Sequence, residues 1–310
     1  MGKKMKTIFG PVLSRRLGCS LGIDTLPAKI CTYDCIYCEC GATTEKRTER
    51  KEFIPVGEIL DELKFKLEDA LRPPDTITFA GSGEPTLYSG LGALIRGIKE
   101  ITTIKVAVLT NGSLLWREDV AADLMAADLV LPSLDAAEEP TFGTLNRPHS
   151  VLGIEEILSG LIRFREQFRG RLWLEILLCR GINDGSREIA ALKEAVSRIK
   201  PHRVQLNTVV RPPAESFAAP LNRNQLERIR ASFGGTPVII GEVPRTKGVA
   251  SVEGEEMILE IIRRRPLTSE DIADHLGLRK VEILKHLEGL NQDQRVHVSK
   301  HKGKVFYLAS

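Results

Sequence analysis

The segment Lys29-Ile30-Cys31-Thr32-Tyr33-Asp34-Cys35-Ile36-Tyr37-Cys38-Glu39-Cys40-Gly41 holds four of the six cysteines of the 310-residue chain. Cys31, Cys35 and Cys38 stand in the spacing C-x-x-x-C-x-x-C, so three thiolates can converge from one short loop. They can hold three irons of a [4Fe–4S] cluster and leave the fourth iron without a protein ligand. An iron with an open position can do chemistry on a second molecule. Three plainer readings compete. A structural zinc site pairs C-x-x-C with a distant second pair, whereas Cys40 lies only two residues past Cys38 and is poorly placed to complete a tetrahedron. Disulfide-stapled scaffolds are far denser in cysteine than this chain. The third is a chance cluster of buried thiols.

Tyr37 stands immediately before the third cysteine. With it, the spacing resembles the radical S-adenosylmethionine (AdoMet) superfamily. The string Phe9-Gly10-Pro11-Val12-x-Ser14-Arg15-Arg16-Leu17-Gly18-x-Ser20-Leu21-Gly22-Ile23-Asp24, followed by Pro27-x-Lys29-x-Cys31, is similar to one branch related to the wyosine-base synthases of tRNA. The resemblance implies that Cys31, Cys35 and Cys38 are both the metal ligands and the catalytic centre. It implies a flavodoxin or ferredoxin as electron donor, and cleavage of AdoMet to methionine and a 5′-deoxyadenosyl radical that abstracts a substrate hydrogen.

Further polar residues fall at strand ends. Gly81-Ser82-Gly83-Glu84 follows a strand, its glycines allow close approach of backbone carbonyls, and Glu84 can pair with an ammonium. Ser82-Gly83-Glu84 resembles the family's Gly-Gly-Glu motif, which implies contact with the AdoMet amino group; alone it is an ordinary βα turn. Thr110-Asn111-Gly112 and Ser133-Leu134-Asp135 end the next two strands and offer groups for ribose hydroxyls and the methionyl end. Each triplet alone is common turn chemistry. Arg147, after Asn146, either grips the AdoMet carboxylate or begins a helix. Glu175 lies inside an apolar strand, where a carboxylate is costly without a partner. It is expected to point inward, toward AdoMet or substrate, with an outward position as the alternative; Gln205 and Asn207 are expected to face the same interior. Arg15 and Arg16 can meet an anionic ligand or solvent. Cys19, Cys40 and Cys179 lack the spacing of a second cluster, so one cluster is expected, with Cys40 and Cys19 the nearest candidates for other thiol chemistry.

The elements that must position these residues follow from periodicity. Helical patterns over 56–71, 91–101, 117–125, 153–167, 188–199 and 221–232 alternate with strands at 76–80, 105–109, 129–131, 172–178, 204–210 and 237–240. This is an α/β chain of βαβ units with a parallel sheet, and right-handed crossovers curl it into a partial (β/α)6 TIM-like barrel. Sites in such folds lie at the carboxyl ends of the strands. Residues 8–28 read as a strand or hairpin leading into the cysteine loop. Residues 1–240 are expected to form this domain and 241–254 a linker. Three helices and a two-stranded wing with Lys302-Gly303 at its tip, over 255–310, resemble a winged helix-turn-helix.

Hydrophobic residues at 42%, charged residues at 27% and a net charge of +3 describe an ordinary globular protein. No run approaches the roughly 18 apolar residues of a membrane span, and the basic residues before Thr7 lack the apolar core of a secretory signal. A cytoplasmic protein with reduced thiols is expected. Lys300, Lys302, Lys304 and Arg295 on the wing, with Arg279, Lys280 and Lys285 on the third helix, permit an RNA substrate, although acidic residues nearly balance them; a peptide is the equal alternative. A rival of another class is an iron–sulfur redox sensor whose winged helix binds DNA.

Overall fold

The chain enters through two antiparallel strands, β1 (Ile8–Ser14) and β2 (Gly18–Ile23), the hairpin expected before the cysteine loop. The computed structural model describes residues 7–14, 16–70, 73–240, 255–278 and 280–310. Two short strands, β3 (Ile30–Cys31) and β4 (Glu45–Lys46), pair across the cysteine loop. The alternating part follows as α1 (Val56–Glu68), β5 (Thr76–Phe79), α2 (Leu91–Ile101), β6 (Lys105–Thr110), α3 (Glu118–Leu124), β7 (Leu129–Pro132), α4 (Glu139–Leu145), α5 (Ile154–Gln167), β8 (Arg171–Leu178), α6 (Ser186–Ile199), β9 (Arg203–Thr208), α7 (Arg223–Ser232) and β10 (Val238–Ile239). Among the described residues, the eight strands order as β1-β2-β5-β6-β7-β8-β9-β10, parallel from β2 onward. Sequential parallel order with a helical crossover at each step is the partial-barrel arrangement.

The two faces of this sheet differ. Ile77, Phe79, Val106, Val108, Leu174, Ile176 and Leu206 lie on the outer face, buried against the helices in the main apolar core. The facing helices supply stripes such as Leu91, Leu94, Ile95 and Ile98 on α2. The register carries the other alternation along the inner face: Ser20 beside Thr76, Gly22 beside Thr78, Thr78 beside Ala107, Ser133 beside Glu175, and Glu175 beside Gln205. Bulky branched residues usually fill a barrel, but small and polar side chains line much of this one.

Residues 255–310 contain α8 (Glu255–Ile262), α9 (Ser269–Leu276), α10 (Lys280–Gln292) and the antiparallel pair β11 (Val296–His301) and β12 (Lys304–Ala309). Thr268 caps α9 reciprocally with Asp271, and Gly277 ends it in the left-handed conformation, φ +65°. Ile258, Ile262, Ile272, Leu287 and Val296 make a separate apolar cluster against which Val12 of β1 also packs. The linker expected over 241–254 lies outside the described residues.

His275, on α9, is buried among Arg265, Arg211 and the Asp271 carbonyl, and burial with the two cations lowers its pKa to about 4. Its unfolded-state pKa is higher, so the unfolded chain binds the extra proton first and stability falls as pH drops from about 6.5 toward 4. The 255–310 unit should lose roughly 2–3 kcal/mol over that window. His275→Gln should flatten the dependence, as read by amide exchange of α9 and α10 against pH; an unchanged slope in the variant would refute it.

Candidate active site

The cysteine loop is stitched to the end of α4 by backbone bonds, Asp34 N to Asn146 O at 3.0 Å and Ile36 N to Leu145 O at 3.1 Å. Ile36 sinks into a small apolar cluster with Leu145, Cys179, Val209 and Ala218, so Cys179 is a core residue. Each remaining thiol of the C-x-x-x-C-x-x-C spacing then meets one nitrogen donor. Asn111 Nδ2 lies 3.6 Å from Cys31 Sγ, Asn146 Nδ2 3.4 Å from Cys35 Sγ, and Lys29 Nζ 3.3 Å from Cys38 Sγ. Burial raises the Cys31 thiol to about 12 and Cys35 well above the usual range, each aided by neighbouring negative groups. Cys38 goes the other way: the Cys40 thiol donates to it and the Lys29 ammonium favours its thiolate.

The strand-end motifs surround this loop. The chain reverses at Gly83, where a Cβ would stand 2.1 Å from the Ile30 carbonyl oxygen, so only glycine lets β5's exit lie against β3. Glu84 is buried, and its carboxylate accepts from Thr86 N (3.0 Å), Thr86 Oγ1 (2.6 Å), Thr110 Oγ1 (2.6 Å) and Asn111 N (2.7 Å). It therefore latches the exits of β5 and β6 together, and Thr110 is turned toward it. Asn111 Nδ2 donates to Thr32 Oγ1 at 2.7 Å as well as facing Cys31. Ser82 donates through both N and Oγ to Asp24 Oδ2, each at 3.1 Å.

Asp135 ends β7 at a buried junction. Tyr37 Oη donates to Asp135 Oδ2, Asn146 Nδ2 lies 3.3 Å from the same oxygen, and Leu177 N donates to Oδ1 at 2.8 Å. Burial lifts this carboxyl to about 6 against those bonds. Ser133 forms a lone parallel bridge with Glu175. Glu175 lies on the same face of the sheet as Gln205 and Asn207, and its partner is Arg16 from the β1–β2 turn, in a largely buried ion pair, with Asn207 Nδ2 at 3.4 Å from the other oxygen. Arg147 begins no helix: it follows α4 at φ +44° and pairs with Glu215 at 2.6 Å and Asp34 at 3.9 Å. Arg15 lies outside the described residues. Lys29, Asn146 and Asp24 are the polar residues that spacing alone did not single out for these roles; Lys29 and Asp24 stand in the quoted N-terminal string.

A model of the radical SAM superfamily matches residues 25–192, which include the three spaced cysteines and the turns after β5, β6 and β7. The chain belongs to the radical SAM superfamily. It is 33% identical over 98% of its length to UPF0026 protein MJ1312 of Methanocaldococcus jannaschii, of which it covers 96%. It is 40% identical over 99% of its length to a Brachyspira hyodysenteriae protein named GTPase Obg, and spans only 46% of that relative. A solved structure of TYW1 with a lysine–pyruvate adduct bound matches with a TM-score of 0.53 and 22% identity, covering 70% of this chain and 74% of that one, a likeness of fold. The cofactors of this radical SAM chain are a [4Fe–4S] cluster and S-adenosylmethionine.

The donor set suits that cluster. Among the described residues no three His, Cys, Asp or Glu side chains converge on a single point as ligands of one ion do. A cluster instead takes one thiolate per iron, and nitrogen donors beside the sulfurs tune it. Anaerobic reconstitution should load about four irons and four sulfides per chain. Cys31→Ala, Cys35→Ala and Cys38→Ala should each lose most of both, while Cys40→Ala and Cys19→Ala keep them, as measured by iron and sulfide assay; retention in Cys38→Ala would redraw the ligand set.

Proposed function

We propose that this radical SAM protein is an enzyme that reductively cleaves AdoMet and modifies a macromolecule, an RNA or a peptide. When bound, the reduced cluster and AdoMet supply the 5′-deoxyadenosyl radical that takes a hydrogen from the substrate. The observation that carries this reading is the coincidence of two sets: three loop thiols each facing a nitrogen donor, and three strand-end turns after β5, β6 and β7 around them.

Cys31, Cys35 and Cys38 hold the irons. Lys29, Asn111 and Asn146 donate to the sulfurs and orient them. The carbonyls of Ser82 and Gly83 receive the AdoMet amino group, while Glu84, whose roughly four lone-pair sites are taken by Thr86, Thr110 and Asn111, holds the turn and adds its negative charge nearby. Thr110 holds Glu84 in place. Ser133 and Asp135 line the β7 side, and Tyr37 ties the loop to Asp135. Arg147 meets the AdoMet carboxylate only by loosening Glu215 or Asp34. Glu175 and Asn207, with Arg16, stand on the inner face where the substrate enters.

Residues 1–240 then form the radical domain, 241–254 a linker, and 255–310 a winged helix that delivers the substrate. Exposed Lys300 and Lys304 suit an RNA backbone. Val298 and Val305 are exposed on the same face of the hairpin as Lys300, and Val281 and Leu284 are exposed on α10. A phosphate backbone asks for cations alone, so this aliphatic surface weighs toward a peptide. A flavodoxin or ferredoxin donates the electron, in the cytoplasm. Among the described residues no helix is long and apolar enough to cross a membrane. The comparisons give no support to the redox-sensing regulator.

Reconstituted protein with AdoMet and dithionite, kept anaerobic, should produce 5′-deoxyadenosine, and Cys31→Ala should abolish it, as measured by liquid chromatography. An intact cluster without 5′-deoxyadenosine would refute the reading. Mass analysis of tRNA and peptides from a deletion strain separates the two substrate classes.

A further inference from the structure

One residue of the 255–310 unit reaches the rim of the radical SAM site. Arg264 follows α8, and its guanidinium lies 4.1 Å from the Phe9 ring centroid and 3.5 Å from Asp24 Oδ2. That same carboxylate oxygen accepts both bonds from Ser82. The turn runs directly over it: a Cβ on Gly81 would stand 2.1 Å from the Asp24 carboxyl carbon. The backbone of Arg264 touches the cysteine loop as well, because its carbonyl oxygen lies 3.0 Å from Cys40 Sγ, which is 3.8 Å from the Gly81 carbonyl.

We infer that Arg264 is a positioning residue for AdoMet: through Asp24 it holds the Gly81–Ser82 turn in the conformation that receives the cofactor's amino group. This rests on the reading of the Ser82-Gly83-Glu84 turn given above. Asp24 accepts both Ser82 bonds on one oxygen, these bonds are stronger to a carboxylate than to a neutral carboxyl, and burial works against that charge. Arg264 is the cation that opposes burial. Without it the buried carboxylate loses its facing cation, and the bonds that hold Ser82 lose the charge that strengthens them. The stacking on Phe9 fixes the plane of the guanidinium, which a lysine does not reproduce.

A second contact runs alongside. Arg211 pairs at 2.6 Å with Glu39, which stands between Cys38 and Cys40, and Asp271 of α9 acts on the same guanidinium. The C-terminal unit therefore touches the cofactor turn through Arg264 and acts on the exit of the cysteine loop through Asp271 and Arg211.

The test uses full-length protein. In the cofactor-free state, amide exchange at Ser82 should speed up about tenfold in Arg264→Ala, and in the reconstituted state AdoMet should bind about tenfold more weakly, as expected when a buried carboxylate loses its paired cation. Arg264→Lys should restore part of both, and exchange in α10 should stay unchanged. Unchanged Ser82 exchange in Arg264→Ala overturns the inference. Gly83→Ala is the control on the underlying reading: if it leaves AdoMet affinity intact, the turn is not the cofactor's contact; if it weakens binding while Arg264→Ala does not, the coupling alone fails. Should Arg264→Ala also loosen α10, Phe9→Leu removes only the ring beneath the guanidinium. It must then shift Ser82 exchange and AdoMet affinity in the same direction by a smaller factor, and no shift overturns the inference.

Discussion

Three thiols must be held close together out of water, each meant to lose its proton, and the rest of the radical SAM domain is arranged around that cost. Burial pushes Cys31 and Cys35 upward, so the loop alone would keep them protonated. Donors brought from elsewhere work in the opposite sense for the thiolate, and each comes from a different element: Asn111 from the end of β6, Asn146 from the end of α4, Lys29 from the loop itself. Neither asparagine is placed without the parallel sheet that fixes those ends. Register along the sheet thus becomes a requirement of the metal chemistry, because a slip of one residue would turn Asn111 away from the loop and bring Thr110 or Gly112 into its place.

The same logic explains the buried carboxylates at the rim. Glu84 and Asp135 are each wrapped in neutral donors, four around Glu84 and three around Asp135. A buried charge satisfied in this way is costly to disturb, and each carboxylate joins segments far apart in sequence. Glu84 joins β5 to β6, while Asp135 joins β7, β8, α4 and the cysteine loop. They make a stiff ring on which mobile groups need not be relied upon. Several of the strand-end residues thus fasten one another, Glu84 to Thr110 and Asn111, and Asp135 to Tyr37 and Asn146.

Periodicity made the alternating elements legible, since stripes such as Leu91, Leu94, Ile95 and Ile98 admit one face only. The cysteine spacing and the turn after each strand were legible for the same local reason. α4 was not. It has seven residues, Pro140 at its start and only Phe142 and Leu145 buried, too little for a periodic signal, yet the cysteine loop is stitched to it. Partner choice was likewise hidden. An apolar strand announces that Glu175 needs a partner, but nothing local says that Arg16 supplies it, and the Cys40–Arg264 contact spans 224 positions. Local sequence specifies which groups are present at a strand end; only closure of the sheet decides which of them meet.

The inner face shows what that closure is for. Ser20, Thr78 and Ala107 occupy positions where branched side chains would add apolar burial, at about 0.8 kcal/mol per methylene, and Glu175 and Gln205 sit where leucines would pack without needing partners. The outer face and its helices carry the stability instead, through an apolar core that runs from Ile8 to Leu226. With stability supplied from outside, the interior is free to be polar. Arg16 and Glu175 neutralise one another there in the absence of ligand, and Gln205 keeps a buried carbonyl oxygen with no hydrogen-bond donor. An unpaired acceptor beside an ion pair that can open disfavours a purely apolar guest and favours one carrying an N–H group.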